Sequence, residues 1–482
     1  MRKIISVPVL LLVVGGYCFS QNVGIGTITP AEKLHVVGNI KADTAKPNAI
    51  KLTTNAGIGK VLTSDALGNA NWQNSIAASG DNVGYGVWGD CATNGTISEY
   101  NPVSDTTSAP NDNFGFSVSI SGNYAIVGAW QDDVGINTDQ GSASIYGFNG
   151  SKWILMQKLT DATGGAGDFF GFSVSISGNY AIVGSPQDDV AANTDQGSVS
   201  IYQFNGSSWV LMQKITDATG AAGDIYGVGV SISGIYTIVG AYTDDAGAGI
   251  DQGSASIYRF NGSTWVLMQK ILDATGSAGD NFGYSVSISG NVVIIGANLD
   301  DAPIVDQGSA SIYQYNGINW VLMQKIVDAD GAMTDYFGFR VSISGNYAIV
   351  GSHLDDVDAK SNQGSASIFW YNGSNWVLMQ KITDVNGAAG DVFGYSVSIS
   401  GIYAIIGAPN DDVNGGTNQG SSSIYIRVGI GWQKLQYVTD PGGNIDDSFG
   451  VFNVIDAGTQ RFVVGAYRYA NDSGKAIFGK VQ

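Results

Sequence analysis

The sequence predicts an all-β fold: a seven-bladed β-propeller of four-stranded antiparallel blades, with a short N-terminal β-rich stalk. Three observations predict it. An aromatic-glycine pair recurs with glycine at 115, 171, 227, 283, 338, 394 and 450, in steps of 56, 56, 56, 55, 56 and 56 residues. A fixed period of that size marks a repeat architecture. Each repeat divides into four short runs in which apolar residues alternate with polar ones, the grammar of strands. The last repeat stops one strand short, and a strand-like segment stands before the first repeat to supply it.

The chain opens with Arg2 and Lys3, then the apolar run Ile4–Val14 and small residues. That run is too short to span a bilayer and has the form of an export signal, residues 1–20, ending at Cys18-Phe19-Ser20. Cys18 is also the residue a lipoprotein anchor would need, although bulky Tyr17 precedes it. No later segment is long and apolar enough to insert in a membrane. With the leader gone, the net charge moves from −19 to −21 and Cys91 is the one cysteine left. No intrachain disulfide can form, so packed core area must hold the fold. The negative charge argues against nucleic acid and anionic membrane surfaces as partners and leaves cationic partners and metal ions open.

Residues 21–73 form the stalk segment and 74–95 a linker; the propeller spans 96–482. Within a repeat, "FSVSI" is the first strand and Ser177-Gly178-Asn179 a tight turn. Tyr180–Val183 is the second strand, followed by a polar loop. "GSVSIYQF" is the third strand, Asn205-Gly206 a hairpin turn, and "WVLMQKI" the fourth strand. The final repeat has only three strands, Phe449–Ile455, Arg461–Gly465 and Lys475–Val481. Thr96–Asn101 is the expected fourth, closing the ring and removing an open edge.

Aromatic-Gly, "VSISG", "AIVGA", "DQGSASIY" and W-x-x-x-Q-K resemble the FG-GAP repeats of bacterial secreted proteins over about Thr96–Gln482. The resemblance implies the same propeller and a role in recognition. FG-GAP propellers of integrin α chains carry an Asp-rich calcium cage between the first and second strands. Here a bare Ser-Gly-Asn or Ser-Gly-Ile turn stands there. "NVGIGTITPAEKLHVVGNI" and "GKVLTSDALGNANWQ", about Gln21–Gln73, are similar to shaft segments of bacterial surface and tail-fibre-like proteins. That similarity implies a stalk able to assemble a homotrimer.

The acids are 39 Asp against two Glu, and their positions are regular. The loop from second to third strand carries Asp132, Asp133 and Asp139; Asp188, Asp189 and Asp195; Asp244, Asp245 and Asp251; Asp300, Asp301 and Asp306. Asp355-Asp356 and Asp411-Asp412 continue the series with Asn362 and Asn418 in the last slot. The loop from fourth to first strand adds Asp161 and Asp168 and their equivalents. Both loop types leave the same side of an up-down blade, so one propeller face is expected to be a ring of Asp and the other nearly uncharged. Two readings follow. The aspartates shape loops through side-chain-to-backbone bonds, or each Asp-Asp…Asp set holds a divalent cation, calcium being the ion that favours several oxygens. Lys158, Lys214 and Lys270 are expected to reach from the outer strand into solvent.

The repeats differ where strands meet these loops. Trp130, Tyr242, His353 and Tyr467 follow the second strand, and Phe169 and Tyr336 precede the aromatic-glycine pair. These six are the candidate ligand-binding residues, since aromatics anchor partners well. The recurrent Trp153, Trp209, Trp265, Trp320, Trp376 and Trp432 read as blade packing.

Enzyme signatures are sparse. His35 and His353 are the two histidines, and there is no phosphate loop, CxxC or HExxH. An Asp pair acting on a sugar is conceivable, but a catalytic pair is normally unique and these recur in six loops. The expectation is a secreted or surface-held, non-enzymatic adhesion propeller that binds a protein or glycan through its Asp-rich face. The alternatives are a secreted carbohydrate-active enzyme and a purely structural fibre component.

Overall fold

The computed structural model describes residues 98–481, except 106, 108, 246–248, 302, 303 and 414, together with four short strands nearer the N-terminus. The chain divides into two units, Met1–Tyr85 and Gly86–Gln482. In the first, Val23–Ile25 pairs in parallel with Leu34–Val36, and Lys60–Ser64 pairs antiparallel with Ala70–Asn74. The leader, the linker and both Cys18 and Cys91 lie outside the described residues.

The second unit is a seven-bladed propeller. Blade 1 runs Phe114–Ser121, Tyr124–Ala129, Ser142–Phe148, Trp153–Leu159, each strand antiparallel to the one before. Blades 2 to 6 repeat this order. In blade 7 the fourth strand is Ser98–Val103, which pairs antiparallel with Lys475–Lys480. That strand lies two residues further along than the expected Thr96–Asn101. The closing strand is tied by Glu99, which receives Arg461 at 2.9 Å and Lys480 at 3.5 Å.

The three inner strands of each blade are largely buried on both sides because each blade is flanked by two others. Alternate residues of Tyr124–Ala129 face opposite seams: Ala125 and Val127 pack with blade 7, Ile126 with blade 2. Seven apolar clusters result, one per seam. Polar rings run through the same seams. In the inner strands, Ser119 Oγ accepts the Ile176 amide of the next blade at 3.1 Å, and Ser175 accepts Ile232 in the same way. In the outer strands, Gln157 accepts the Trp209 amide and donates to the Trp209 carbonyl, at 2.9 and 3.0 Å. At the closure Asn101 takes this part, accepting the Trp153 amide at 2.8 Å.

The aromatic-glycine signature has a steric cause. Gly171 has φ +93°, and a Cβ there would lie 2.2 Å from the Ser142 carbonyl oxygen of the neighbouring blade. Only a residue without a side chain fits this conformation and approach. The aromatic before it, Phe170, is fully buried in the seam.

Candidate ligand-binding site

Every repeat sends two long loops to one end of the ring, and the acids there are heavily engaged. Lys214, on the fourth strand of blade 2, lies 2.7 Å from Asp161 and 2.6 Å from Asp188. Asp161 belongs to the loop joining blades 1 and 2; Asp188 is the first acid of blade 2's own Asp-Asp loop. The same clamp recurs as Lys158 with Asp105 and Asp132, Lys270 with Asp217 and Asp244, Lys325 with Asp273 and Asp300, and Lys381 with Asp328 and Asp355. In blade 6, Lys434 reaches Asp384 at 3.3 Å, and Asp411 instead accepts the hydroxyls of Ser421 and Tyr437. The expectation that Lys158, Lys214 and Lys270 reach into solvent is therefore corrected. A β-bulge opposite each third strand, at Ile201/Tyr202 in blade 2, shifts the outer strand's alternation. The lysine that follows turns toward the loops.

The second acid of each pair shapes its own loop. Asp189 Oδ1 accepts the amide of Asp195 at 3.0 Å; Asp133 holds Asp139, Asp245 holds Asp251 and Asp301 holds Asp306 in the same way. The third acid sits in the left-handed region, φ +54°, +53°, +54° and +52° for Asp139, Asp195, Asp251 and Asp306. Asn tolerates that conformation equally, which explains Asn362 and Asn418 in the same slot at φ +51°. The three carboxylates of a loop thus diverge, one to a lysine, one to a backbone amide, one outward. Among the described residues no group of three His, Cys, Asp or Glu is placed to hold a metal. In five of these loops the first acid of the set is already paired with an ammonium.

A further set of acids stands two residues before the aromatic of the aromatic-glycine pair. Asp168 is buried and accepts the Gly165 amide at 2.6 Å. Burial, helped by the nearby Asp188 charge, pushes Asp168 up to about 6 despite that amide. Asp112, Asp280 and Asp391 are likewise raised to about 6, with burial the leading cause.

Inside this ring of acids lies an aromatic mouth. Phe116, Phe172, Tyr284, Phe339 and Tyr395 follow the left-handed glycine of five first strands, and Phe452 stands one position further along in blade 7. Their rings touch around the axis: Phe116 lies 5.0 Å from Phe172 and 5.6 Å from Phe452, and Phe339 5.2 Å from Tyr284 and 5.0 Å from Tyr395. Four of the six sequence-selected residues touch this set, and Phe169 and Tyr336 join it through Trp130 and His353. Trp130 packs on Phe116 at 5.6 Å and on Phe169 at 4.6 Å; Tyr467 meets Phe116 at 5.6 Å. Tyr242 meets Tyr284 at 5.3 Å. His353 lies 4.0 Å from Phe339, 5.4 Å from Tyr395 and 5.9 Å from Tyr336.

Backbone strain holds the rim in place. The residue before the aromatic-glycine pair is left-handed in all seven blades, including Phe169 at φ +57°, Tyr336 at +56° and β-branched Ile225 and Val392 at +54° and +53°. Such outliers persist only where surrounding structure over-determines them, and they concentrate at functional sites. The rim also has unmet polar atoms: Trp130 Nε1, Asn298 Oδ1 and His353 Nδ1 are buried without a hydrogen-bond partner. Burial, then the Arg340 charge, pushes His353 down to about 3, so its imidazole is neutral at physiological pH.

The sequence reading missed the inner aromatic ring and Arg340. The signal was present in both cases. An aromatic directly after the glycine recurs in five repeats, and arginine is the one change in the third copy of the fifteen-residue run first written at Phe114–Gly128.

The FG-GAP repeat model matches six stretches, residues 104–146, 153–202, 209–258, 265–313, 320–369 and 376–425, more than half of the chain. The chain belongs to the FG-GAP repeat family. The seventh, closing blade of this FG-GAP protein lies outside those matches. Among solved structures, it is similar to a periplasmic gluconolactonase from Pseudomonas aeruginosa, at 13% identity and TM-score 0.43, over 68% of this chain and 86% of that one. It is also similar to a functionally unknown protein from Desulfotomaculum acetoxidans, at 10% identity and TM-score 0.45, over 72% of this chain and 90% of that one. No curated protein sequence matches. Among the described residues no helix is long and apolar enough to cross a membrane.

Proposed function

We propose that this FG-GAP propeller is an exported, non-enzymatic recognition module that binds a protein or glycan through the aromatic mouth of its loop face. The observation that carries the reading is convergence. Six positions where the repeats diverge come together with the inner aromatics as one partly exposed surface, edged by unmet polar atoms. Aromatic anchors grouped at the centre of a face are what a binding hot spot requires. The Asp pairs favour this reading over hydrolysis, because the first acid of five pairs is held in a lysine clamp and the second caps its own loop. The basic-then-apolar leader supports export, and the shaft-like segment supports display of the propeller on a stalk that trimerises.

Probing the whole chain on an array of glycans and extracellular proteins tests the proposal. Trp130→Ala, Tyr242→Ala and Tyr336→Ala made together should abolish whatever binding the wild type shows. Unchanged binding would move the site off this face, and release of sugar from any glycan would revive the enzyme alternative.

A further inference from the structure

The propeller's axis is a cavity of about 170 Å³ below the aromatic mouth, lined by the first strands of all seven blades. Its walls are valines of the repeated V-S-I-S motif and the serines between them, and Arg340 is the only charged residue in the lining. Four other blades have Ser at the equivalent position: Ser117, Ser173, Ser285 and Ser396. The guanidinium lies over the rings of Phe339, Phe452 and Tyr284, at 4.7, 4.9 and 5.2 Å, so it reaches toward the axis and touches a non-adjacent blade. Its one hydrogen bond is from Nη1 to the Phe339 carbonyl at 3.2 Å; Nε is buried with no partner. No described carboxylate pairs with it, whereas the lysines of the fourth strands are all paired.

Ser173 in the wall already donates to the Gly227 carbonyl, but the other five serines are donors in waiting. Ser285, Ser287, Ser342, Ser396 and Ser398 each use their hydroxyl oxygen to accept an amide of the next blade. Among the described residues no acceptor takes their hydroxyl hydrogens. The cavity therefore offers one guanidinium and several O–H donors, with valine between them. A half-buried cation without a counter-ion is costly, and an anion that enters would relieve the cost. One positive charge balances one carboxylate; a phosphate dianion would stay half-unneutralised against apolar walls. The planar guanidinium fork suits a carboxylate. The volume is close to that of a cavity that accepts a benzene-sized body. Around the mouth, His353 Nδ1 and, at the equivalent place in its blade, Asn298 Oδ1 are buried polar atoms without a partner that a ligand's hydroxyls can meet.

We infer that the central channel is a specific binding site for a monocarboxylate, anchored by Arg340, and that the aromatic rim with its unpartnered polar atoms selects a sugar acid. The inference rests on the recognition reading above and names its ligand class. The test uses the whole chain and ligand-observed NMR titration with D-glucuronate, D-glucose, acetate and inorganic phosphate. D-glucuronate should bind, and more tightly than the other three. Arg340→Ser restores the residue found in other blades and is therefore expected to fold; it should weaken D-glucuronate by about tenfold or more, as loss of a charged hydrogen-bond partner does. Arg340→Lys, keeping the charge but not the fork, should fall between. Equal affinity of Arg340→Ser and wild type for D-glucuronate would overturn the inference, as would absence of D-glucuronate binding to the wild type. Acetate binding as tightly as D-glucuronate would overturn the sugar-acid assignment, and phosphate binding more tightly would overturn the carboxylate. If array binding survives in the wild type and is lost in the triple rim variant while D-glucuronate fails, only the channel inference falls. If the rim variant binds the array normally, the recognition reading itself falls.

Discussion

At the scale of single residues, the acids of the loop face act chiefly as counter-ions and caps. Lys214 is about a quarter exposed, and its two aspartates are nearly fully buried. Lys214→Met would leave both carboxylates without their cation. Breaking a buried pair costs ~3–5 kcal/mol; with part of this lysine in water the expected loss is about 2–3 kcal/mol, read by denaturant unfolding. Adding Asp161→Asn and Asp188→Asn should recover much of that loss, whereas Lys152→Ala on the exposed hairpin should change nothing measurable. Recovery failing in the triple variant would show that the lysine acts by packing alone. These clamps were not legible in the sequence. Lys214 and Asp161 stand in different repeats, and the bulge in the outer strand hides which way the lysine faces. The loop-shaping role of Asp189 and its equivalents was one of the two readings the sequence allowed, and the Asp-to-Asn exchange in the last slot pointed to it.

At the scale of the strand and blade, repetition is explained by what each element does for its neighbour. The serines of "VSIS" serve the next blade's amides, so Ser175→Ala would strand the Ile232 N–H in a buried seam. That should cost about 1–3 kcal/mol, measured by chemical unfolding, and Ser151→Ala in a hairpin turn should cost almost nothing. The closing strand is a stronger case. Deleting residues 98–103 would expose the edge of Lys475–Lys480 and leave Trp153 without Asn101. An unpaired edge recruits other chains, so the truncated protein is expected to melt earlier and to form oligomers by light scattering. Strand count, turn residues and the need for a closing strand were all readable from the 56-residue period. The two-residue offset of the closing strand was not, because its sequence lacks the W-x-x-x-Q-K pattern of the others and its register is set by pairing with Lys475–Lys480.

At the scale of the whole molecule, two sets of aspartates pull stability in opposite directions with pH. Asp112, Asp168, Asp280 and Asp391, at about 6 in the folded chain, sit above their ordinary value near 4. Their contribution is fully present below pH 4 and is lost as pH rises through 6. Asp105, Asp161, Asp217 and Asp273 are lowered, burial being outweighed by lysine and amide hydrogen bonds. Their contribution is present above pH 4 and lost as pH falls below it. The melting temperature should therefore peak near pH 4, fall between pH 4 and 6 and stay lower at pH 8; a monotonic rise from pH 4 to 8 would contradict this. Because ammonium groups occupy the acid clusters, calcium and chelator should leave the melt unchanged, and a large calcium-dependent stabilisation would refute the lysine-clamp assignment.

The central claim is that function resides at the aromatic mouth and that the rest of the ring is scaffold. It is tested most directly by comparing three proteins on one array of glycans and extracellular proteins. These are the wild type, the loop-face variant Trp130→Ala/Tyr242→Ala/Tyr336→Ala, and a turn-face variant Ser151→Ala/Ser207→Ala/Ser263→Ala on the opposite end of the blades. The account predicts that the loop-face variant loses binding at least about tenfold, the scale of one or two hot-spot residues, while the turn-face variant binds as the wild type does. Loss in the turn-face variant with the loop-face variant intact would contradict it.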